Sequence, residues 1–183
     1  MSKLTASFFI SLDGVVEAPE TWQRPYFTDE MGAVIGQAIA ATGAFLLGRR
    51  TYQEWAAFWP QQDPSELPMA SAINSLPKYV VSRSLDDAAW QNSTLLKGDL
   101  TDEVSKLKQQ TDKDVAINGS ATLVRSLLEA GLVDELRLMV HPVVVGSGAR
   151  LFEPSAPQIP LQLASAQTFN TGVLNLTYRP AAT

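Results

Sequence analysis

Asp114-Val115-Ala116-Ile117-Asn118-Gly119-Ser120-Ala121-Thr122-Leu123-Val124-Arg125-Ser126-Leu127-Leu128-Glu129-Ala130-Gly131 is the stretch that decides the fold. Residues 114–117 are a short apolar run of buried-strand type, and they enter Asn118-Gly119-Ser120 without a spacer. Over 121–130, Leu123, Val124, Leu127 and Leu128 fall on one face of a helix, and Gly131 is a suitable residue for ending it. A strand that feeds a helix through so short a turn is half of a βαβ unit, so its neighbours in the sheet are expected to be parallel.

The same grammar extends in both directions. Upstream, strands are read at Leu4 to Leu12, Ala44 to Leu47, Lys78 to Val81 and Thr94 to Leu96. Helices are read from a Thr28 cap to about Thr42, over Thr51 to Phe58 and over Asp102 to Gln109. Gly32, Gly36 and Ala40 make a small-residue stripe on the first helix, suited to close packing or to a flat ligand. Pro60 to Pro77 holds four prolines and the apolar patch Met69 to Ile73, read as a lid, a short helix or a subunit contact. Downstream, a long strand over Glu135 to Val145 enters Gly146-Ser147-Gly148. Leu161 to Phe169 and Val173 to Tyr178 form a hairpin around Asn170-Thr171-Gly172. The expected architecture is one α/β domain over residues 1–183: a mostly parallel central sheet, helices on both faces and an antiparallel C-terminal strand. Ligands in such sheets sit at the carboxyl ends of the strands.

Composition narrows the chemistry. The chain has 183 residues, 45% hydrophobic and 18% charged, with a net charge of −5. That balance folds, and it offers no positive field for nucleic acid. The N-terminal residues enter a strand pattern directly, and no apolar run approaches the ~20 residues needed to span a bilayer, so the expectation is a cytoplasmic protein. Cysteine is absent and His141 is the single histidine, which removes thiol chemistry and any zinc site built on several imidazoles. Reactions that rely on a bound cofactor suit this inventory, because the protein then mainly positions the reactive atom.

Three strand ends carry residues suited to phosphate: Gly48-Arg49-Arg50-Thr51, Ser82-Arg83-Ser84 and Asn118-Gly119-Ser120-Ala121-Thr122. Helix N-termini after Gly48 and Gly119 offer backbone N–H groups, and arginine adds forked donors. Singly, each has a plain reading: a solvated arginine pair, turn serines, a helix cap at Ser120. Together they place much of the positive charge of an acidic chain at two strand ends, as a pyrophosphate and a ribose phosphate would require. Gly146-Ser147-Gly148 is not followed by the third glycine of a dinucleotide fingerprint; it is either a tight turn or a loop that lets backbone approach a ligand. Asp13, followed by Gly14, is a turn residue or a proton-handling carboxylate. His141 has no partner in view and receives no role.

Ser11-Leu12-Asp13-Gly14, Leu47-Gly48-Arg49-Arg50-Thr51-Tyr52, Val81-Ser82-Arg83, Ile117-Asn118-Gly119-Ser120-Ala121 and Gly146-Ser147-Gly148-Ala149-Arg150-Leu151-Phe152 occur in this order. Through them the chain resembles the dihydrofolate reductase-like superfamily, and within it a free-standing form of the reductase domain of the riboflavin-biosynthesis deaminase-reductase. The resemblance implies a three-layer fold binding NADPH in extended form. Gly48, Arg49, Arg50 and Thr51 would hold phosphates, and Ser82 and Arg83 would face the 2′-phosphate. Gly119, Ser120, Ala121 and Thr122, after Asn118, would cradle the pyrophosphate. Asp13 would lie beside the nicotinamide, with Gly146, Ser147 and Gly148 nearby. The sequence departs from dihydrofolate reductases on the first long helix: where their pterin-holding carboxylate falls, near Gly32, only Asp29 and Glu30 are close. The expected activity is NADPH-dependent reduction of a small heterocyclic or sugar-derived substrate, in a homodimer. The alternative is an NADPH-binding sensor without turnover.

Overall fold

The computed structural model describes residues 2–154 and 156–181. The described residues form eight strands and five helices. The strands are β1 (Leu4–Ser11), β2 (Thr42–Gly48), β3 (Lys78–Val81), β4 (Ser93–Leu96), β5 (Asp114–Asn118), β6 (Glu135–His141), β7 (Leu161–Thr168) and β8 (Leu174–Pro180). The helices are α1 (Asp29–Ala41), α2 (Arg49–Phe58), α3 (Met69–Ser75), α4 (Leu100–Gln110) and α5 (Ala121–Glu129). In sheet order the strands run β4-β3-β2-β5-β1-β6-β8-β7. By their contacts the residues form two compact units, one of Ile35–Ser120 with the residues up to Leu4, the other of Thr5–Val34 with the residues from Ala121 onward.

In the first unit every strand pairing is parallel. Phe45 to Gly48 of β2 pair with Lys78 to Val81 of β3, and the same β3 residues pair with Ser93 to Leu96 of β4. On its other side β2 pairs with β5. Parallel neighbours require crossovers, which α2 with α3, and α4, provide. Phe45, Leu47, Tyr52, Ile73, Val80, Trp90 and Ala116 form the core of this unit. Each large side chain fully buried there contributes on the order of 1.5–3 kcal/mol. The Trp55 ring meets Phe45 nearly at right angles, 5.4 Å between centroids. Asp99 caps α4, accepting from the N–H groups of Thr101 and Asp102.

In the second unit β1 and β6 are parallel from Thr5↔Glu135 to Ser11↔His141. β8 runs antiparallel to β6 and to β7, which makes the expected hairpin. Glu135, buried at the start of β6, is held between Arg137 and Arg179 at 2.6 and 3.0 Å.

The mostly parallel sheet with its antiparallel C-terminal strand is as expected, and four local readings change. First, α2 begins at Arg49 rather than Thr51, so both arginines lie in its first turn. Second, β6 stops at His141, four residues short of the expected Val145. Pro142 has no N–H to continue a ladder, the Val143 N–H turns back to the His141 carbonyl, and the Val143 carbonyl accepts from Leu12. Third, of the lid, short helix and subunit contact read for Pro60 to Pro77, the reading narrows to the helix: Met69 to Ile73 lie in α3, with Ala70 and Ile73 buried in the first unit. Fourth, the stripe on α1 is not a close-packed seam: a Cβ at Gly36 would meet nothing within 4 Å, and Gly36 and Ala40 are exposed.

Candidate functional site

Two groups of strand-end residues carry the candidate chemistry, one in each unit. In the first unit, β3, β2 and β5 are adjacent and parallel, so the turns after Gly48, Val81 and Asn118 leave from the same edge. Two hydrogen bonds join the first and third turns. The Gly48 N–H donates to Ser120 Oγ at 2.9 Å, and the Ser120 N–H donates to Thr51 Oγ1 at 3.1 Å. Ser120 sits in the left-handed region at φ 54, directly after Gly119 at φ 73. A non-glycine residue there costs on the order of 1–3 kcal/mol, and the two reciprocal bonds hold it in place.

Gly48 precedes α2 and offers no side-chain cap, and Arg49 and Arg50 in the first turn are exposed. Arg49 makes one long contact, Nη1 to Gln53 Oε1 at 3.5 Å. At the end of β3, the Ser82 hydroxyl is buried and accepts from the N–H groups of Ser84 and Leu85 at 3.2 and 3.1 Å. It shapes the turn, and Arg83 and Ser84 stand exposed on it. At the start of α5, Ala121 is half-buried and Thr122 exposed, with Thr122 Oγ1 accepting from Arg125 Nη2 at 3.2 Å. This donor set fits phosphate: an uncapped helix start, an Asn-Gly-Ser turn and three exposed guanidinium groups.

In the second unit the turn after β1 grips the loop after β6. Asp13 accepts from the Ser11 hydroxyl at 2.6 Å and from the N–H groups of Val145 and Gly146 at 3.0 and 2.9 Å. These bonds, the Ser11 hydroxyl first, pull its pKa from 3.8 to about 2. At neutral pH it is therefore an anion with an anchoring geometry, in keeping with the turn residue that was one of its two sequence readings. Four residues on, Glu17 accepts from the Ala149 N–H at 2.7 Å. Gly146-Ser147-Gly148 is thus clamped from both sides by carboxylates. Gly148 lies at φ 113, and a Cβ there would come within 3.0 Å of Val15 and 3.2 Å of Glu17. The loop therefore requires glycine at that position, and the Ser147 and Gly148 N–H groups remain unpartnered at its tip. Arg150 completes the clamp by donating from Nε to the Asp13 carbonyl at 3.0 Å. Sequence reasoning found Asp13 and the glycines. It missed Arg150, whose role appears only when residues more than a hundred positions apart meet.

Comparison with known proteins gives the family and the fold. The RibD C-terminal domain model matches residues 2–175. The uncharacterized protein YyaP of Bacillus subtilis (strain 168) is 35% identical over 135 residues, covering 73% of this chain and 71% of YyaP. Among solved structures, a putative riboflavin biosynthesis protein from Shewanella sp. PV-4 superposes with a TM-score of 0.76 at 16% identity, covering 98% of this chain and 99% of that one. Dihydrofolate reductase from Enterococcus faecalis, solved with NADP(H), gives 0.64 at 13% identity, covering 98% and 97%. These last two share the fold. With a family match over nearly its whole length, the chain belongs to the RibD C-terminal domain family.

Proposed function

We propose that the protein is an NADPH-dependent reductase of a small heterocyclic or sugar-derived substrate, its two units working as one domain in a cytoplasmic protein. No helix among the described residues is long and apolar enough to cross a membrane. The observation that carries this reading is the start of α2. Arg49 and Arg50 lie against the positive end of the helix dipole with no acidic residue in the first turn. That placement is unfavourable by roughly 0.3–1 kcal/mol per charge. A bound phosphate turns it into a favourable one.

In this reading Arg49, Arg50, Thr51 and the Asn118 to Thr122 turn take the dinucleotide's phosphates, and Arg83, on the turn that Ser82 shapes, takes the 2′-phosphate. The cofactor supplies hydride. Asp13 enters as the anchor of the Gly146 to Gly148 turn, whose free N–H groups are offered to a ligand. Arg83→Ala should weaken NADPH about tenfold or more and leave NADH nearly unchanged, since a guanidinium–phosphate contact is strong and charge-assisted. Equal losses for both dinucleotides in parallel fluorescence titrations would remove the 2′-phosphate assignment.

The alternative, binding without turnover, draws on Asp13: a carboxylate held ionised at neutral pH does not give a proton. Tight NADPH binding with no oxidation across pterin, pyrimidine and carbonyl substrates would favour it. We also propose a homodimer, now from β7 rather than from Met69 to Ile73. This edge strand is exposed from Gln162 to Thr168 and carries no charge to discourage pairing with a second copy.

A further inference from the structure

His141, the single histidine, is completely buried at the end of β6. Its Nδ1 lies 2.8 Å from the Met139 carbonyl. A carbonyl only accepts, so the ring proton sits on Nδ1 and Nε2 is left as a bare acceptor. Nε2 has no partner. Burying such an atom unpaired costs about 1–3 kcal/mol, and folded proteins keep few of them without a reason.

The surroundings supply no donor: the Ile10 carbonyl also lies against the imidazole and, like that of Met139, can only accept, and the rest of the cage is aromatic. Phe9, Trp22 and Tyr26 meet the imidazole nearly at right angles, with centroids 5.8, 5.3 and 5.7 Å away. The polar ends of two of these rings are engaged elsewhere, Trp22 Nε1 with the Glu17 carbonyl at 3.1 Å and Tyr26 Oη with the Pro142 carbonyl at 3.4 Å. Gln23 Oε1, next to Trp22, is a second buried acceptor without a donor.

Trp22 and Tyr26 belong to a strap, residues 18–27, built of two short 3-10 turns. Its backbone hydrogen bonds are internal: Thr21 to Ala18, Trp22 and Gln23 to Pro19, Tyr26 to Gln23, Phe27 to Arg24. Only the Trp22 and Tyr26 side-chain bonds leave it. The strap can therefore lift as a body without breaking a backbone hydrogen bond to the rest of the protein.

We propose that His141 is the specificity-determining acceptor of a substrate subsite beneath this strap, taking a hydrogen bond at Nε2 from an N–H group on a flat ring that stacks among Phe9, Trp22 and Tyr26. The inference rests on the reductase reading for what occupies the subsite, and its chemistry is a donor-bearing planar heterocycle. A flat ring satisfies both features: it replaces aromatic contacts when the strap lifts, and it brings the donor that the pocket lacks.

The single histidine makes the test direct. Protein labelled with nitrogen-15 is titrated with 2,4-diaminopyrimidine and with pyrimidine, which lacks the amino donors, each with and without NADPH, while the imidazole resonances are followed. NADPH binding is measured separately by fluorescence, so failure of the cofactor reading is seen independently of the subsite. The expected result is an upfield shift of His141 Nε2 with the diamino compound alone. His141→Phe, which keeps a ring in the cage, should weaken that compound about tenfold with NADPH binding unchanged, and His141→Gln should recover part of the loss. The proposal is overturned if the diamino compound does not bind, if it binds without moving Nε2, or if His141→Phe binds it as well as the parent. An Nε2 already shifted without any probe, and moved by neither compound, would identify a buried water as its partner and overturn it as well.

Discussion

At the scale of single residues, the carboxylate of Asp13 does the most for the loop after β6. Its pKa is lowered to about 2, so its bonds contribute stability that is fully present above the ordinary carboxylate value of 3.8 and is lost as pH falls toward 2. Amide exchange at Val145 and Gly146 should therefore stay protected from pH 7 down to about pH 4. In Asp13→Asn it should rise at neutral pH, because an amide offers one acceptor oxygen and places N–H groups against N–H donors. Unchanged exchange in that variant would show that the clamp rests on Glu17 and Arg150 instead. Gly148→Ala combines a positive φ with a close contact at Val15 and should destabilise by roughly 1–3 kcal/mol in urea unfolding; a neutral effect would mean that the loop relaxes. Lys78, fully buried with no carboxylate beside it, donates to the carbonyls of Asn74, Leu76 and Gln91 and lies 4.3 Å from the Trp90 ring centre. Burial lowers its pKa to about 8. Lys78→Met would leave three carbonyls unpaired and should cost on the order of 3 kcal/mol, read as a fall in the urea midpoint. A stability equal to the parent would mean that water reaches those carbonyls.

At the scale of elements, the turns after β2 and β5 behave as one piece because Gly48, Thr51 and Ser120 share two hydrogen bonds. Ser120→Ala and Thr51→Val should each cost about 0.5–1.5 kcal/mol. In a double-mutant cycle the pair should be non-additive, since Thr51 bonds to the backbone N–H of a residue whose left-handed conformation Ser120 Oγ helps to hold; strict additivity would show independent turns. Much at this scale is readable from sequence. The Asp114 to Gly131 unit, the helix beginning after Thr28 and the C-terminal hairpin follow from apolar spacing and turn residues, which are local signals. What sequence pattern misplaced depends on long-range partners. Arg49 and Arg50 have no periodicity that reveals a helix start, so α2 was expected to begin at Thr51. Val143 to Val145 look like strand, but Asp13 and Leu12, more than a hundred residues away, take their hydrogen bonds.

At the scale of the whole molecule, eight strands and a family match over residues 2–175 agree with the architecture expected from strand and helix alternation. The oligomer is less legible, because an apolar patch in sequence does not say which way it faces: Met69 to Ile73 turned inward, and the open edge is β7. If β7 pairs with a second copy, Ala166→Lys should shift the protein toward monomer by light scattering at micromolar concentration; a monomer in the parent protein would end the dimer proposal. The central claim is that the strand ends of the first unit bind a phosphorylated nicotinamide dinucleotide. Parallel titration of the protein with NADPH and NADH, followed by quenching of its tryptophan fluorescence, tests this most directly. Saturable binding with a clear preference for NADPH is the result predicted, and binding of neither dinucleotide would contradict it.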